Sequence, residues 1–284
     1  MTYRWMKDNE DAFSVGAMCV VLGACRSGYY AWRRDPVSKA GSLRGRLALP
    51  IARIFAESGS TYGSPRVTHA LALCGIKACR NTVARSMKEL EIRVKKAKSY
   101  TPRTTESDPS LRASPNILAR DFSARGMNQK WCSDITYVGT DEGWLYVAMI
   151  KDLYSKRIVG WAMADHMRAE LTVSALQMAI KQRRAVQGLI HHSDRGKQYA
   201  CREYRALLEK HGIIQSMSQA GDCYDNAPAE SFFASLKKEL VNRRTFKTLQ
   251  EAKQEVFQYI EVFYNRKRLH STLGYRSPEQ FEAI

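Results

Sequence analysis

Three acidic residues in the second half of the chain stand where carboxylates are costly. Asp134 interrupts a partly β-branched run, Trp131-Cys132-Ser133-Asp134-Ile135-Thr136. Asp194 follows the apolar Gly188-Leu189-Ile190 within His191-His192-Ser193-Asp194-Arg195-Gly196. Glu230 falls in the first turn of a helix predicted to start at Asn226, with Pro228 also in that turn. A carboxylate leaving apolar surroundings persists when a cation, a metal or strong donors neutralise it. Three of them within a few ångströms repel one another and titrate as a coupled set. Divalent cations remove that repulsion, and oxygen ligands without paired His or Cys favour Mg²⁺, with Mn²⁺ as substitute, over zinc. Two such ions about 3.5–4 Å apart can activate a water or a 3′-hydroxyl and stabilise the leaving oxygen of a phosphodiester. Each acid alone reads as structural; the combination in this order points to a metal site.

Other residues near the acids are ambiguous. Strand alternation sends one of His191 and His192 inward and the other toward the acids. A packed or hydrogen-bonding histidine is the simpler reading, and His192 is left a positioning role. Arg195-Gly196 reads as a turn freeing the Asp194 carboxylate from a strand end, with Arg195 as a buttress or phosphate contact. Lys237, two helical turns past Glu230, shares its face.

The elements that must carry these residues alternate in type. Strands are predicted over Lys130–Gly139, Trp144–Ile150 and Arg157–Ala164, with Asp141-Glu142-Gly143 as a hairpin turn. An amphipathic helix over Ala169–Arg183 follows, then a short strand at Leu189–His192. A helix over Gln198–His211, closed by Gly212, leads to a last strand at Ile213–Met217. Three meandering strands followed by alternating helices give a mixed five-stranded sheet with helices on its faces.

The first half has a different composition. The chain of 284 residues carries a net charge of +17, a field that favours a polyanion, nucleic acid before an anionic membrane surface. Residues 1–127 hold 22 Lys/Arg against 10 Asp/Glu, and residues 128–284 hold 23 against 18. A helix is predicted over 12–34 with a stop at Ser27-Gly28, and a turn-rich linker from Asp35-Pro36 to Gly45. The interleaved Tyr29-Tyr30-Ala31-Trp32-Arg33-Arg34 reads as the cap of a small core rather than a base-stacking surface.

From Leu47 to Val94 the apolar spacing is helical. Pro65 marks one helix start, Gly75-Ile76 a short turn, and Asn81 the start of a second helix with Arg80, Arg85 and Lys88 outward. Such a pair, the second helix basic, fits a helix-turn-helix. Lys95 and Lys96 lie in a basic run, Arg93–Arg103, suited to a solvated linker, to phosphate tracking, or to both. The predicted division is an N-terminal helical segment (1–40), a helix-turn-helix region (45–95), a basic linker (96–127) and a catalytic domain with a C-terminal tail (128–284).

Seven cysteines form no CxxC pair and no Cys/His metal spacing, which argues against a zinc module or a disulfide framework. Reduced thiols and a cytoplasmic location follow as the default expectation. The apolar run Val15–Cys25 is preceded by acids and is too short to span a bilayer, so no membrane role is expected.

These strings resemble the Asp-Asp-Glu core of the OrfB-type transposases of the insertion-sequence-three family, which are bacterial. The 35 residues between Asp194 and Glu230 match the spacing of that family and of its retroviral integrase relatives. Ser27-Gly28-Tyr29-Tyr30, Tyr62-Gly63-Ser64-Pro65-Arg66-Val67, Tyr264-Asn265-Arg266-Lys267-Arg268-Leu269-His270-Ser271 and Leu273-Gly274-Tyr275-Arg276-Ser277-Pro278 are similar too. The resemblance therefore covers nearly the whole chain. Departures are Lys197, where the family more often has a small polar residue, and Gln219-Ala220 with Asp222, where a basic residue would precede Gly221.

What the resemblance implies is an α/β ribonuclease-H-like catalytic domain behind a small all-α helix-turn-helix region. Asp134, Asp194 and Glu230 would be catalytic and hold two Mg²⁺ ions; Lys237 would sit near the phosphates at the element end. DNA contacts are expected from Lys237, Arg195, Lys197, Asn226, Arg66, Arg80, Arg85, Lys88, Lys95 and Lys96. The implied reaction is metal-dependent cleavage at the element ends, then strand transfer by the freed 3′-hydroxyl. Its partners are terminal inverted repeats, target DNA and further copies of the chain on paired ends. The product of an upstream reading frame, with its own helix-turn-helix and leucine zipper, is another partner the family implies. Two alternatives stand beside this: a ribonuclease-H-like metal nuclease without strand transfer, and a non-catalytic DNA-binding regulator or inactive partner of a longer frameshift fusion.

Overall fold

Alternation of side chains along three successive strands builds the sheet, and its register carries the acids. The structure, a computed structural model, describes residues 2–34, 39–94, 114–184, 187–219 and 223–284. It divides into two compact units, Met1–Val94 and Lys95–Ile284, each taken by itself below.

The first unit is helical: α1 (Thr2–Asp8), α2 (Val15–Leu22), α3 (Arg26–Arg34), α4 (Lys39–Glu57), α5 (Ser64–Leu73) and α6 (Arg80–Glu89). The single helix expected over 12–34 is broken earlier than predicted. Gly23 takes φ 59° and caps α2, a conformation glycine adopts without a Cβ penalty, while Ser27-Gly28 lies inside α3. Tyr29 is fully buried against Tyr3 and Trp32, so the aromatics form a core. The expected linker into Gly45 is in part the start of α4. Leu47, Ile51 and Ile54 of α4, Val67 and Leu71 of α5, and Val83 and Met87 of α6 are buried, and these three helices pack on one another. Leu90, seven residues past Val83, is 38% exposed at the end of α6.

The second unit holds β1 (Lys130–Thr140), β2 (Gly143–Asp152), β3 (Ile158–Ala164), α7 (Ala169–Arg183), β4 (Ile190–Ser193), α8 (Lys197–Ala200), α9 (Arg202–Lys210), β5 (Ile214–Met217), α10 (Ala227–Glu239), α11 (Leu249–Phe257) and α12 (Pro278–Glu282). The sheet order is β3-β2-β1-β4-β5, with β1–β2 and β2–β3 antiparallel and β1–β4 and β4–β5 parallel. This is the mixed five-stranded, ribonuclease-H-like sheet. The helix expected over Gln198–His211 is split, because Cys201 turns extended between α8 and α9.

Both faces of the sheet are covered. Trp131, Ile135, Ala148 and Ile150 face α7 and α9; Cys132, Val138, Val147 and Met149 face α10 and the C-terminal helices. Gly160 of β3 lets α7 approach, since a Cβ there would lie 2.3 Å from the Ala175 carbonyl oxygen.

Two segments depart from their expected roles. Within the stretch read as linker, Leu118 is 2% exposed in the α10-side core, and the amides of Ile117 and Leu118 both donate to Ser216 Oγ at 3.0 Å. The C-terminal tail covers the core. Asn265 pairs with both backbone groups of Ile158, at 2.9 and 3.0 Å. Glu282 accepts from Arg157 at 2.8 Å and from Arg183.

Candidate active site

The parallel pairing of β1 with β4 runs Lys130↔Ile190, Trp131↔His191, Cys132↔His192 and ends there. Asp134 and Asp194 are each two residues past the last pair, so they stand level where the strands part. The chain crosses from β3 to β4 at this point, and in open α/β sheets such a reversal leaves a crevice beyond the strand ends. Asp134 Oδ1 accepts from the Ile135 amide at 2.8 Å, and Asp194 Oδ1 from the Gly196 amide at 3.0 Å. The Arg195-Gly196 turn thus holds the Asp194 carboxylate instead of freeing it. Arg195 donates to Ser218 O at 2.7 Å and buttresses the end of β5.

Glu230 enters from α10 and is solvent-exposed. The start of α10 is fixed from three sides. Asn226 occupies the N-cap position without capping; its side chain is 6% exposed and donates to Ser133 O at 3.1 Å, beside Asp134. The expected DNA contact of Asn226 therefore meets a side chain turned to β1, away from solvent. Lys151, at a bulge of β2 against β3, is 5% exposed and donates to Pro228 O at 2.9 Å. Asp225 accepts from Asn116 at 2.9 Å, Arg120 at 3.1 Å and the Gln219 amide at 2.9 Å. Burial works against its ionised form, but the Gln219 amide and Arg120 prevail and hold its pKa below the usual value.

The electrostatics link the acids. Burial raises Asp134 well above the usual carboxylate range, and the charges of Asp194 and, less, Glu230 add to it; the Ile135 amide and Lys237 pull the other way. Partial desolvation at the helix start also raises Glu230, exposed though it is. Lys237 is half-buried, its ammonium 5.1 Å from the Tyr137 ring centroid; burial lowers its pKa and Asp134 opposes the shift. Tyr199 is buried, and burial followed by the charges of Asp194 and Asp134 raises its pKa.

The two histidines are structural. His191 bonds the Tyr204 hydroxyl, and burial pushes it down to about 3. His192 lies between Ser216 Oγ at 2.9 Å and Ser218 Oγ at 3.2 Å, pushed by burial down to about 4.

Among the described residues no trio of His, Cys, Asp or Glu is preassembled around an ion position. The donor set nevertheless fits a hard dication. It is all oxygen, two of its members are level on adjacent strands, and their repulsion is the kind that a cation relieves.

The remaining sequence-predicted residues lie elsewhere. Lys197 is exposed at the start of α8. In the first unit Arg80, Arg85 and Lys88 are exposed on α6, and Arg66 of α5 stacks over Tyr62 at 5.5 Å. Lys95 and Lys96 lie outside the described residues. Lys151, Asp225 and the 114–120 brace escaped the sequence reading. Lysine at the end of an apolar strand was the one visible signal.

Fold and site together define an integrase-type core domain accompanied by a helix-turn-helix unit. Residues 124–223 and 230–283 match the integrase core domain families and residues 43–100 the HTH-like domain family. The chain is 42% identical to the transposase InsF of insertion sequence IS3A from Escherichia coli K12, over 99% of this chain and 98% of that one. It is 45% identical to a 31 kDa protein of insertion element IS600 from Shigella sonnei, over 93% and 97%. The chain belongs to the IS3 family of transposases. A chain of the simian T-cell lymphotropic virus intasome, solved with a PP2A regulatory subunit, aligns with TM-score 0.48 and 13% identity over 82% of this chain and 74% of that one. That likeness is too distant to carry any residue or ligand across. No described helix is long and apolar enough to cross a membrane.

Proposed function

We propose that this transposase cuts DNA at the ends of its element and joins the freed 3′-hydroxyl to a target, using Asp134, Asp194 and Glu230 as one metal-binding site. The observation that supports this most is the β1–β4 register, which ends two residues before Asp134 and Asp194 and sets both carboxylates level; burial, then the charge of Asp194 and, less, that of Glu230, raise the half-buried Asp134. Mg²⁺, or Mn²⁺ in its place, would supply charge neutralisation and Lewis acidity at the scissile phosphate when bound. Asp134 and Asp194 hold their oxygens rigidly through the Ile135 and Gly196 amides, and Glu230 approaches from a helix pinned at its start. Lys237, in the field of Asp134, offers an ammonium to a phosphate oxygen. Such a site acts mainly by positioning and by stabilising developing charge.

The basic face of α6 is proposed to find the terminal repeats, with phosphate contacts from its arginines and Lys88. A DNA-bound, cytoplasmic protein acting as paired copies is the corresponding assembly. The test is strand transfer on labelled element-end DNA. Joined product should form with Mg²⁺ or Mn²⁺ and vanish with chelator and in Glu230→Gln. Product that persists in chelator would remove the metal from the reading. Cleavage without joining would favour the nuclease reading, and specific binding without either reaction the regulator reading.

A further inference from the structure

The β1–β2 hairpin carries an aromatic surface that the three-acid site does not use. Trp144, the second residue of β2, remains 52% exposed. Opposite it in the ladder is Gly139, where an added Cβ would lie 3.3 Å from the indole. The missing side chain lets the indole lie close over the β1 backbone. Tyr137 meets Trp144 edge-on, with ring centroids 4.9 Å apart and planes at 89°. Lys237 sets its ammonium over the Tyr137 ring. The three form a row of exposed indole, phenol ring and ammonium, and the ammonium lies in the field of Asp134.

The hairpin is anchored. The Asp141 amide donates to Phe246 O at 3.1 Å, and Glu142 accepts from the Leu249 amide at 2.6 Å, so one of the two acids at the tip is already engaged. Phe246 is itself 1% exposed. A large aromatic held open on an anchored hairpin loses little conformational freedom when a flat partner stacks on it.

We propose that Trp144 is a stacking platform for an unpaired base of the DNA bound at the acids. Gly139 lies five residues along β1 from Asp134, roughly 17 Å at the strand rise. That distance is about five steps of a nucleic-acid strand. The base is therefore one close to the cleaved end, where pairing is most easily lost. The Lys237 ammonium between platform and acids suits a phosphate backbone running from one to the other, and it would not suit an apolar protein partner. Every base has a π-face, so the contact tolerates any sequence.

This inference rests on the reading that the acids act on DNA, but its test does not require chemistry. The full chain is titrated, in chelator, with element-end duplex that is either blunt or carries a short single-stranded overhang. Trp144→Ala should bind the overhang DNA about 5- to 100-fold more weakly and the blunt duplex unchanged. The overhang should quench part of the emission of the chain's five tryptophans. Trp144→Phe, which keeps a ring on Gly139, should lose that part without loss of thermal stability. Equal quenching in wild type and Trp144→Phe, or equal weakening of both DNAs in Trp144→Ala, would overturn the proposal and leave the indole as a hairpin staple. Failure of the three-acid reading would instead appear as strand transfer that survives in Glu230→Gln.

Discussion

Arg268 grips Glu239 with two prongs, Nε to Oε2 at 2.8 Å and Nη2 to Oε1 at 2.7 Å, and both side chains are 7% exposed. Glu239 ends α10, the helix whose first turn carries Glu230, and Arg268 belongs to the C-terminal segment. The tail therefore holds one end of the helix that presents the third acid, and Lys151 holds the other. Position along α10 is set at both termini by buried cations.

Removing one partner of a buried, two-pronged pair leaves the other charge uncompensated. Arg268→Ala should cost about 3–5 kcal/mol of stability, read by urea denaturation. Arg268→Lys should recover only part, because an ammonium cannot reproduce the planar fork. Full stability in Arg268→Ala would mean that the tail does not secure α10.

Lys151 supplies a pH signature. Burial pushes its ammonium down from 10.5 to about 8. Between those values the unfolded chain binds more protons than the folded one, so stability rises as pH climbs from about 8 toward 10.5. Below about 8 both states carry the proton and the slope from this residue vanishes. The rise should approach ~3 kcal/mol across the window. Denaturation midpoints of wild type and Lys151→Met over that range check it; a slope that persists in Lys151→Met would assign it to other groups.

The α6 face gives a salt-dependent prediction. Arg80, Arg85 and Lys88 are exposed along one helix of the first unit. Replacing any of them by Ala should lower the slope of log affinity against log salt by about 1 if it contacts a phosphate. Binding to element-end DNA across a salt series measures this. Unchanged slopes in all three would place the DNA-binding face elsewhere.

Much of this architecture was legible in the chain. Alternating β-branched and aromatic residues marked β1–β3, Asp141-Glu142-Gly143 marked the hairpin, and the spacing of Leu171, Ala175, Met178 and Ala179 marked α7. Asp134 inside the first strand and Asp194 just past the fourth can meet where those strands run side by side, but that they are level rests on the β1–β4 register. What escaped depends on contacts distant in sequence. Gly23 and Ser27-Gly28 are equally good helix stops locally, and the packing of Tyr29 on Tyr3 and Trp32 favours the first. Residues 114–122 look like linker because the partners that hold them, Ser216 and Asp225, lie about a hundred residues further on and leave no local pattern. The C-terminal helices were missed because wider, π-type turns over Gln258–Tyr264 shift the apolar period away from that of an α-helix. Lys151 reads as a solvated strand end until the bulge at Ile150/Lys151 is known.

The central claim is that Asp134, Asp194 and Glu230 act as one unit, and non-additivity tests it most directly. Single-turnover cleavage of labelled element-end DNA in Mg²⁺ would be compared for Asp134→Asn, Glu230→Gln and the double variant, with folding checked by circular dichroism. The expected result is that each single variant loses as much rate as the double, because a unit that lacks one member has already failed. Losses that multiply in the double variant, or cleavage that survives in either single one, would contradict the three-acid site.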